Sequence, residues 1–177
     1  MIYYSSWESG KMSSGFNEQS FENALVSLCE QSLGYTHVCG YDVERDYRSC
    51  FYEDELKESL LRINPAVPEE GIDEAIFEIR SRLSGSVVQK NVKFTGYLQN
   101  GVDVRFMHDG EIKSDIVYLV DYENVGNNSF VVANQWTIQE LDTKRPDVII
   151  FLNGIPVVLM ALKSFMTNNA TGTDAHR

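Results

Sequence analysis

The sequence predicts an α+β fold in which a mixed, largely antiparallel central sheet is flanked by helices. Before Gly85, apolar residues recur at helical spacing, whereas the chain after it is rich in β-branched and aromatic residues. The pairs Asn100-Gly101 and Asp109-Gly110 separate β-rich runs and are typical of tight hairpin turns. Helices followed by hairpin-connected strands favour α+β over an alternating α/β arrangement.

The first helix is expected over residues 17–33, with Gly34 as its stop. Its predicted apolar face consists of Phe21, Leu25, Leu28 and Cys29. Glu22 borders this face, and the usual interpretation of such a glutamate is a solvated position at the rim.

Two further helices and several strands are expected. Residues 52–63 form the second helix, which Asn64-Pro65 closes, and Pro68 starts the third, which runs to residue 83. Strands are expected in the β-rich runs 35–39, 87–98, 102–108, 116–121, 129–139, 148–152 and 155–163.

The composition fits a single domain with a buried core. The chain has 177 residues, of which 43% are apolar and 23% are charged. No apolar run is long enough to span a bilayer, so we expect no membrane partner and a cytoplasmic location. The three cysteines form no C-x-x-C pair, which is typical of reduced thiols. The net charge of −11 predicts weak binding to naked DNA, because DNA binders usually present a basic face.

Two apolar runs near the C-terminus predict a hairpin with charged groups at its open end. Residues 148–152 and 155–160 are almost continuously apolar, as in strands that are buried on both faces. A turn at Asn153-Gly154 brings Asp147, before the first run, close to Lys163, after the second. Charged groups at the ends of buried strands either reach solvent or have a role, so this end is a candidate site.

The register of the hairpin decides whether the candidate residues share a face of the sheet. A two-residue loop pairs Leu152 with Ile155. It sets Asp147 opposite Met160, so that Asp147 faces away from position 161. A three-residue loop with a left-handed glycine places Asp147 on the same face as position 161. We therefore predict the three-residue loop, or a β-bulge near Asp147 that has the same effect.

The residue types at this end point to phosphodiester hydrolysis. Two carboxylates and a main-chain carbonyl suffice to hold Mg²⁺, which polarises phosphate and water, and a lysine stabilises the developing charge. An Asp followed by Glu-x-Lys on the next strand supplies these groups, whereas this chain has Asp147, Ala161 and Lys163. A structural ion pair explains Asp147 and Lys163 equally well, so both interpretations stay open on this pattern alone.

A longer stretch of sequence resembles a known family. Residues 127–136 and 144–158 are similar to the N-terminal region of the R (restriction, HsdR-type) subunits of type I restriction-modification enzymes. That family carries N-x-F-x-x-x-N-Q, then R-P-D, an apolar hairpin with N-G-x-P, and E-L-K. The match is specific, and weaker similarity at Phe21-Glu22 and Asn100-Gly101 extends it over roughly residues 16–165.

The resemblance implies a PD-(D/E)xK nuclease domain, with a restriction-endonuclease-like core, that cleaves double-stranded DNA. Asp147, position 161 and the Leu162 carbonyl would then be metal ligands for Mg²⁺ or Mn²⁺, and Lys163 would orient water or stabilise charge. Glu22 on the first helix would be the auxiliary acid of this fold, with Glu18 as the other candidate.

Other parts of the resemblance concern partners and cofactors. Lys144 and Arg145 are candidates for contact with the DNA backbone beside the site, although exposed cations before a strand are common. The family's ATP-driven motor is absent from this sequence, so ATP is expected only in other domains of a full-length subunit. Modification (M) and specificity (S) subunits are the expected protein partners, in a bacterial or archaeal cytoplasm.

Ala161 departs from the family pattern, which has Glu there. Because the surrounding motif is intact, we interpret Ala161 as an engineered change that inactivates the nuclease. The main alternative is a natural, non-catalytic docking or regulatory domain with a nuclease-like fold. An unrelated α+β binding domain is a third possibility, but it does not explain the ordered motif series.

The expected domain organisation follows from the extent of the match. Residues 1–15 form a loosely ordered segment, residues 16–166 the endonuclease domain, and residues 167–177 a polar tail where the fragment stops before the motor domains.

Overall fold

A computed structural model of the chain describes residues 18–81, 84–139 and 143–162. The elements, in chain order, are α1 (Glu18–Leu33), β1 (Thr36–Cys39), α2 (Glu53–Ile63), α3 (Glu69–Ser81), α4 (Val87–Asn100), β2 (Val102–His108), β3 (Glu111–Val117), a 3₁₀ turn (Val125–Asn127), β4 (Phe130–Asn134), β5 (Ile138–Gln139), β6 (Thr143–Lys144), β7 (Val148–Leu152) and β8 (Ile155–Met160). The predicted α+β class is confirmed. The predicted segments 1–15 and 167–177 lie outside the described residues.

The central sheet has four strands in the order β1-β4-β7-β8. β1 runs parallel to β4, whereas β4–β7 and β7–β8 are antiparallel, so the sheet is mixed and mostly antiparallel. Cys39, Asn134, Val148 and Met160 are successive partners across it. These four residues form one row at an end of the sheet, which we call the terminal row. β2 pairs with β3, and β5 with β6, in separate two-stranded sheets.

Helix α1 covers one face of the central sheet. Val26 and Cys29 pack there with Val132 and Val148. The predicted apolar face of α1 is wrong in one respect, because Leu28 is 54% exposed. The buried positions are 22, 26 and 29, which follow the i, i+4, i+7 spacing of a helix face.

The opposite face of the sheet and the remaining helices form two further apolar clusters. Trp136 and Phe151 pack on that face, with ring centroids 4.7 Å apart. The largest cluster joins α2, α3, β2 and the start of β8; its best-buried members include Leu56, Leu60, Ile72, Ile79, Val102 and Ile155. None of the described helices is long and apolar enough to cross a membrane. The three cysteines form no disulfide.

The prediction of a strand over residues 87–98 is wrong, because these residues form α4. Ser86 Oγ accepts a hydrogen bond from Gln89 N, and Gln89 Oε1 accepts one from Ser86 N, which is a complete capping box. Asn100-Gly101 is not a hairpin turn. Gly101 ends α4 with a φ of 83° and donates its N–H to Tyr97 O.

Three other strand predictions need correction. The predicted strand over residues 129–139 is two strands in different sheets, β4 and β5, and the left-handed Gln135 follows the end of β4. The hairpin at Asp109-Gly110 is confirmed, but its second strand is β3 (Glu111–Val117) rather than residues 116–121. β8 is not a central strand, because it lies at an edge of the sheet within the described part of the chain. Val157, Val158 and Leu159 are accordingly 45%, 38% and 60% exposed.

Candidate functional site

The hairpin turn between β7 and β8 has two residues, so the predicted three-residue loop is wrong. Leu152 pairs with Ile155, and both turn residues are left-handed, with φ values of 51° at Asn153 and 73° at Gly154. The start of α2 lies against the turn. A Cβ at position 154 would lie 2.4 Å from Tyr52 O, so only glycine fits without a shift of the backbone.

A β-bulge shifts the register of the hairpin by one residue. Ile150 pairs with Val158 and Phe151 with Pro156, which leaves Val157 as the extra residue on β8. The pairs beyond the bulge end with Val148 and Met160, and Asp147 and Ala161 are the residues directly outside that last pair. A bulge is the alternative prediction, but it lies in mid-strand rather than near Asp147, where the sequence predicts it.

Asp147 is tied to the end of β8 through both its main chain and its side chain. Its N–H donates to Met160 O at 3.0 Å. Its Oδ2 accepts a hydrogen bond from Leu162 N at 2.5 Å. The carboxylate is thus held at the end of β8, where Ala161 lies between these two partners and is exposed. Lys163 lies outside the described residues.

The side chains present do not fit a complete metal site. Within residues 18–81, 84–139 and 143–162, no three His, Cys, Asp or Glu side chains converge as metal ligands. Asp147 is the carboxylate at the hairpin end, and Ala161 contributes none. Mg²⁺ is usually held by one or two carboxylates together with water and substrate phosphates, and Asp147 is the single carboxylate at this end among the described residues.

Glu22 is buried rather than solvated, so the interpretation as a rim residue is wrong. It is 4% exposed, and its Oε1 lies 2.8 Å from Asn134 Nδ2 and 3.0 Å from Gln135 Nε2. Burial of a carboxylate is tolerated because these amides donate to it. Glu22 is therefore connected to the terminal row by its hydrogen bond to Asn134, the last residue of β4, and not by a contact with Asp147. Glu18 begins α1.

Sequence reasoning missed Asn134, Gln135 and His37 as parts of this arrangement. Asn134 Oδ1 lies 3.0 Å from His37 Nε2, which links β1 to the same network. The available signal was the polar pair Asn134-Gln135 at the end of an otherwise apolar strand. Such a pair needs hydrogen-bond partners when it is half-buried.

Lys144 and Arg145 are both exposed. Arg145 Nη1 donates to the Tyr41 hydroxyl, and its guanidinium lies 6.0 Å from the centroid of the Tyr41 ring. Lys144 lies in β6, so both cations precede Asp147 on the same stretch of chain. Their side chains face solvent, where a phosphate backbone can reach them.

Residues 15–174 match the family described as type I restriction enzyme R protein N terminus. The HindI endonuclease subunit of Haemophilus influenzae is 33% identical over 164 residues, with 87% of this chain and 16% of that protein covered. The putative MjaIXP endonuclease subunit of Methanocaldococcus jannaschii is 30% identical over 174 residues, with the same shares covered.

The match therefore spans most of this chain and 16% of each of these relatives' own length. A second protein of Methanocaldococcus jannaschii, the putative MjaVIIIP endonuclease subunit, is 27% identical over 148 residues, which cover 81% of this chain. The family match covers the hairpin, the terminal row and α1 together. The chain belongs to the family of N-terminal domains of type I restriction enzyme R proteins.

Proposed function

We propose that this chain is the DNA-cleaving domain of a type I restriction enzyme R subunit and that Ala161 disables it. The intact reaction in this proposal is metal-dependent hydrolysis of phosphodiesters in double-stranded DNA. Family membership makes a nuclease role the natural starting point. The observation that carries the proposal is the hairpin end, where the Asp147 carboxylate is held 2.5 Å from Leu162 N, the residue after position 161.

The proposed roles follow from chemistry at that end. Asp147 is one metal ligand, and the Leu162 carbonyl and a carboxylate at position 161 are the others that Mg²⁺ or Mn²⁺ needs. Lys163 is the cation that stabilises charge on the scissile phosphate. Lys144 and Arg145 hold the DNA backbone beside the site. With alanine at position 161 the ligand set is incomplete, so this chain as it stands does not cleave.

The wider proposal concerns the whole subunit. Residues 16–166 form the nuclease domain, and an ATP-driven motor, an M subunit and an S subunit hold the DNA in the cytoplasm of a bacterium or archaeon. This division of labour accounts for the net charge of −11, because an acidic domain needs partners that bring DNA to it.

Metal titration tests the site directly. Isothermal titration calorimetry with Mg²⁺ and with Mn²⁺ should give no binding heat for the chain itself and clear binding for Ala161→Glu. The matched control is the double variant Asp147→Asn/Ala161→Glu, which should lose the binding because one ligand carboxylate is again missing. Absence of binding by Ala161→Glu, with unchanged circular dichroism, would contradict the proposed site.

The second candidate function is a docking or regulatory domain with a nuclease-like fold. Ala161 favours it, because alanine at this position would then be natural. Plasmid cleavage by the assembled complex decides between the two. Full-length subunit with Ala161→Glu should cut DNA in the presence of Mg²⁺ and ATP, whereas no cleavage by a folded, metal-binding variant would favour docking.

A further inference from the structure

A chain of hydrogen bonds connects α1 with β4 and β1 at the terminal row. Glu22 Oε1 accepts from Asn134 Nδ2 and Gln135 Nε2, and its Oε2 lies 3.4 Å from Gln135 Nε2. Asn134 Oδ1 faces His37 Nε2 at 3.0 Å. Because an amide oxygen can only accept, the imidazole donates from Nε2. Four side chains, from α1, β1, β4 and the residue after β4, thus share one network, in which Glu22 is buried and the other three are half-buried.

This network lies where the main chain turns sharply at the end of β4, at Asn134 and Gln135, which we call the Asn134–Gln135 corner. Asn134 ends β4, and the next residue, Gln135, has a left-handed φ of 53°. Gly40 packs against the corner, since a Cβ there would lie 2.6 Å from Gln135 O, and its N–H donates to Asn134 O at 2.8 Å. Asn134 also pairs with Val148, the residue directly after Asp147. The corner therefore fixes the strand end beside the hairpin site.

We propose that Glu22 is a positioning residue that holds the Asn134–Gln135 corner and is not itself a metal ligand. Its Oε1 is already engaged by two amide donors. The α1 side of the sheet also carries Val148 and Met160, and alternation along β7 and β8 directs positions 147 and 161 away from that face.

This inference rests on the proposed function in one respect only, namely that the hairpin site beside the corner is a nuclease site. The hydrogen-bonded corner itself needs no metal and no DNA. A role for Glu22 through Asn134 also differs from the auxiliary acid that the family resemblance implies. Two measurements, one without metal and one with it, therefore separate the two roles.

Hydrogen–deuterium exchange tests the corner without any metal. In the 177-residue chain, Glu22→Ala should accelerate exchange of the Gly40 N–H by about tenfold or more, because the corner that anchors it loses its acceptor. Glu22→Gln keeps a side-chain oxygen and should change this rate much less. Glu30→Ala, an exposed position on the same helix, is the matched control and should change nothing. Unchanged exchange in Glu22→Ala would overturn the inference.

Magnesium titration in the Ala161→Glu chain separates positioning from ligation. Glu22→Gln should leave the Mg²⁺ affinity nearly unchanged, whereas Asp147→Asn should lower it by about tenfold or more. An equally large loss with Glu22→Gln, at unchanged Gly40 exchange, would make Glu22 a ligand and refute the proposal. If Ala161→Glu binds no Mg²⁺, the proposed function fails, and the exchange rates alone decide the role of Glu22.

Discussion

Replacement of Asn153 by alanine should destabilise the fold more than its turn position suggests. Asn153 is fully buried, with 0% exposure. Its Nδ2 donates to Leu119 O at 2.9 Å and to Asn128 Oδ1 at 2.8 Å, and its Oδ1 accepts from Ser129 N at 2.7 Å. The side chain therefore ties the β7–β8 turn to the segment that leads into β4.

The magnitude follows from the groups that lose a partner. Leu119 C=O and Ser129 N–H each lose a hydrogen-bond partner, which costs about 1–3 kcal/mol for each group. Alanine in the left-handed conformation of residue 153 adds about 1 kcal/mol. Asn128 Oδ1 keeps a second donor, Asp121 N, at 2.9 Å, and water enters part of the vacated space. The expected loss in the free energy of unfolding is about 3–5 kcal/mol, a large share of the stability of a domain.

Urea denaturation followed by circular dichroism measures this loss. Asn153→Gly loses the same hydrogen bonds but tolerates the backbone, so it should be about 1 kcal/mol less destabilised than Asn153→Ala. Asn100→Ala removes a single exposed hydrogen bond to Gly96 O and is the matched control, with an expected change within about 0.5 kcal/mol. A loss below about 1 kcal/mol for Asn153→Ala would refute the buried network.

Three further predictions concern other buried or titrating groups. Trp136→Phe should lower the free energy of unfolding by only about 1–2 kcal/mol in urea titrations, because the buried indole Nε1 has no hydrogen-bond partner to lose; a loss above about 3 kcal/mol would contradict this. A hydrogen bond from the main-chain N–H of Asn124 lowers the pKa of the Asp121 carboxyl group. The ionised Asp121 therefore stabilises the fold fully above the usual Asp pKa of about 3.9. This stabilisation disappears as the pH falls through the lower pKa that Asp121 has in the folded state. Asp121→Asn should therefore flatten the acid side of the stability profile, and an unaltered profile would count against the shift. Burial raises the pKa of the Cys29 thiol, so mass spectrometry after brief treatment with a thiol reagent should find it modified last of the three cysteines; early modification would show that it is accessible.

Much of the fold could be predicted because its signals are local. α2 begins within one residue of the predicted start and ends at Ile63, since an apolar face and Asn64-Pro65 both mark it in the sequence. α4 was missed although its signal is also local. Its exposed Val87, Val88 and Val92 have β propensity, but the capping box at Ser86 and the packing of Phe94 on the core favour the helix.

The candidate site could likewise be predicted from the sequence only in part. The R-P-D and N-G-x-P motifs and the missing carboxylate at position 161 are visible in the sequence. The register of the hairpin depends on a bulge at Val157; Pro156, which has no N–H to donate, indicates an edge or a bulge nearby but does not tell which residue bulges. The position of β8 at an edge depends likewise on which strands pair, and those pairings join residues far apart in the chain.

The sequence by itself determined the α+β class, the apolar hairpin, the family and the identity of the residues at its open end. Only the tertiary structure decided that Asp147 is hydrogen-bonded to Met160 and Leu162 and that Glu22 is buried against Asn134 and Gln135. The physical reason is separation along the chain. Periodicity and turn residues act over a few positions, whereas the partners of Glu22 are 112 and 113 residues away and meet it only when α1 packs on the sheet.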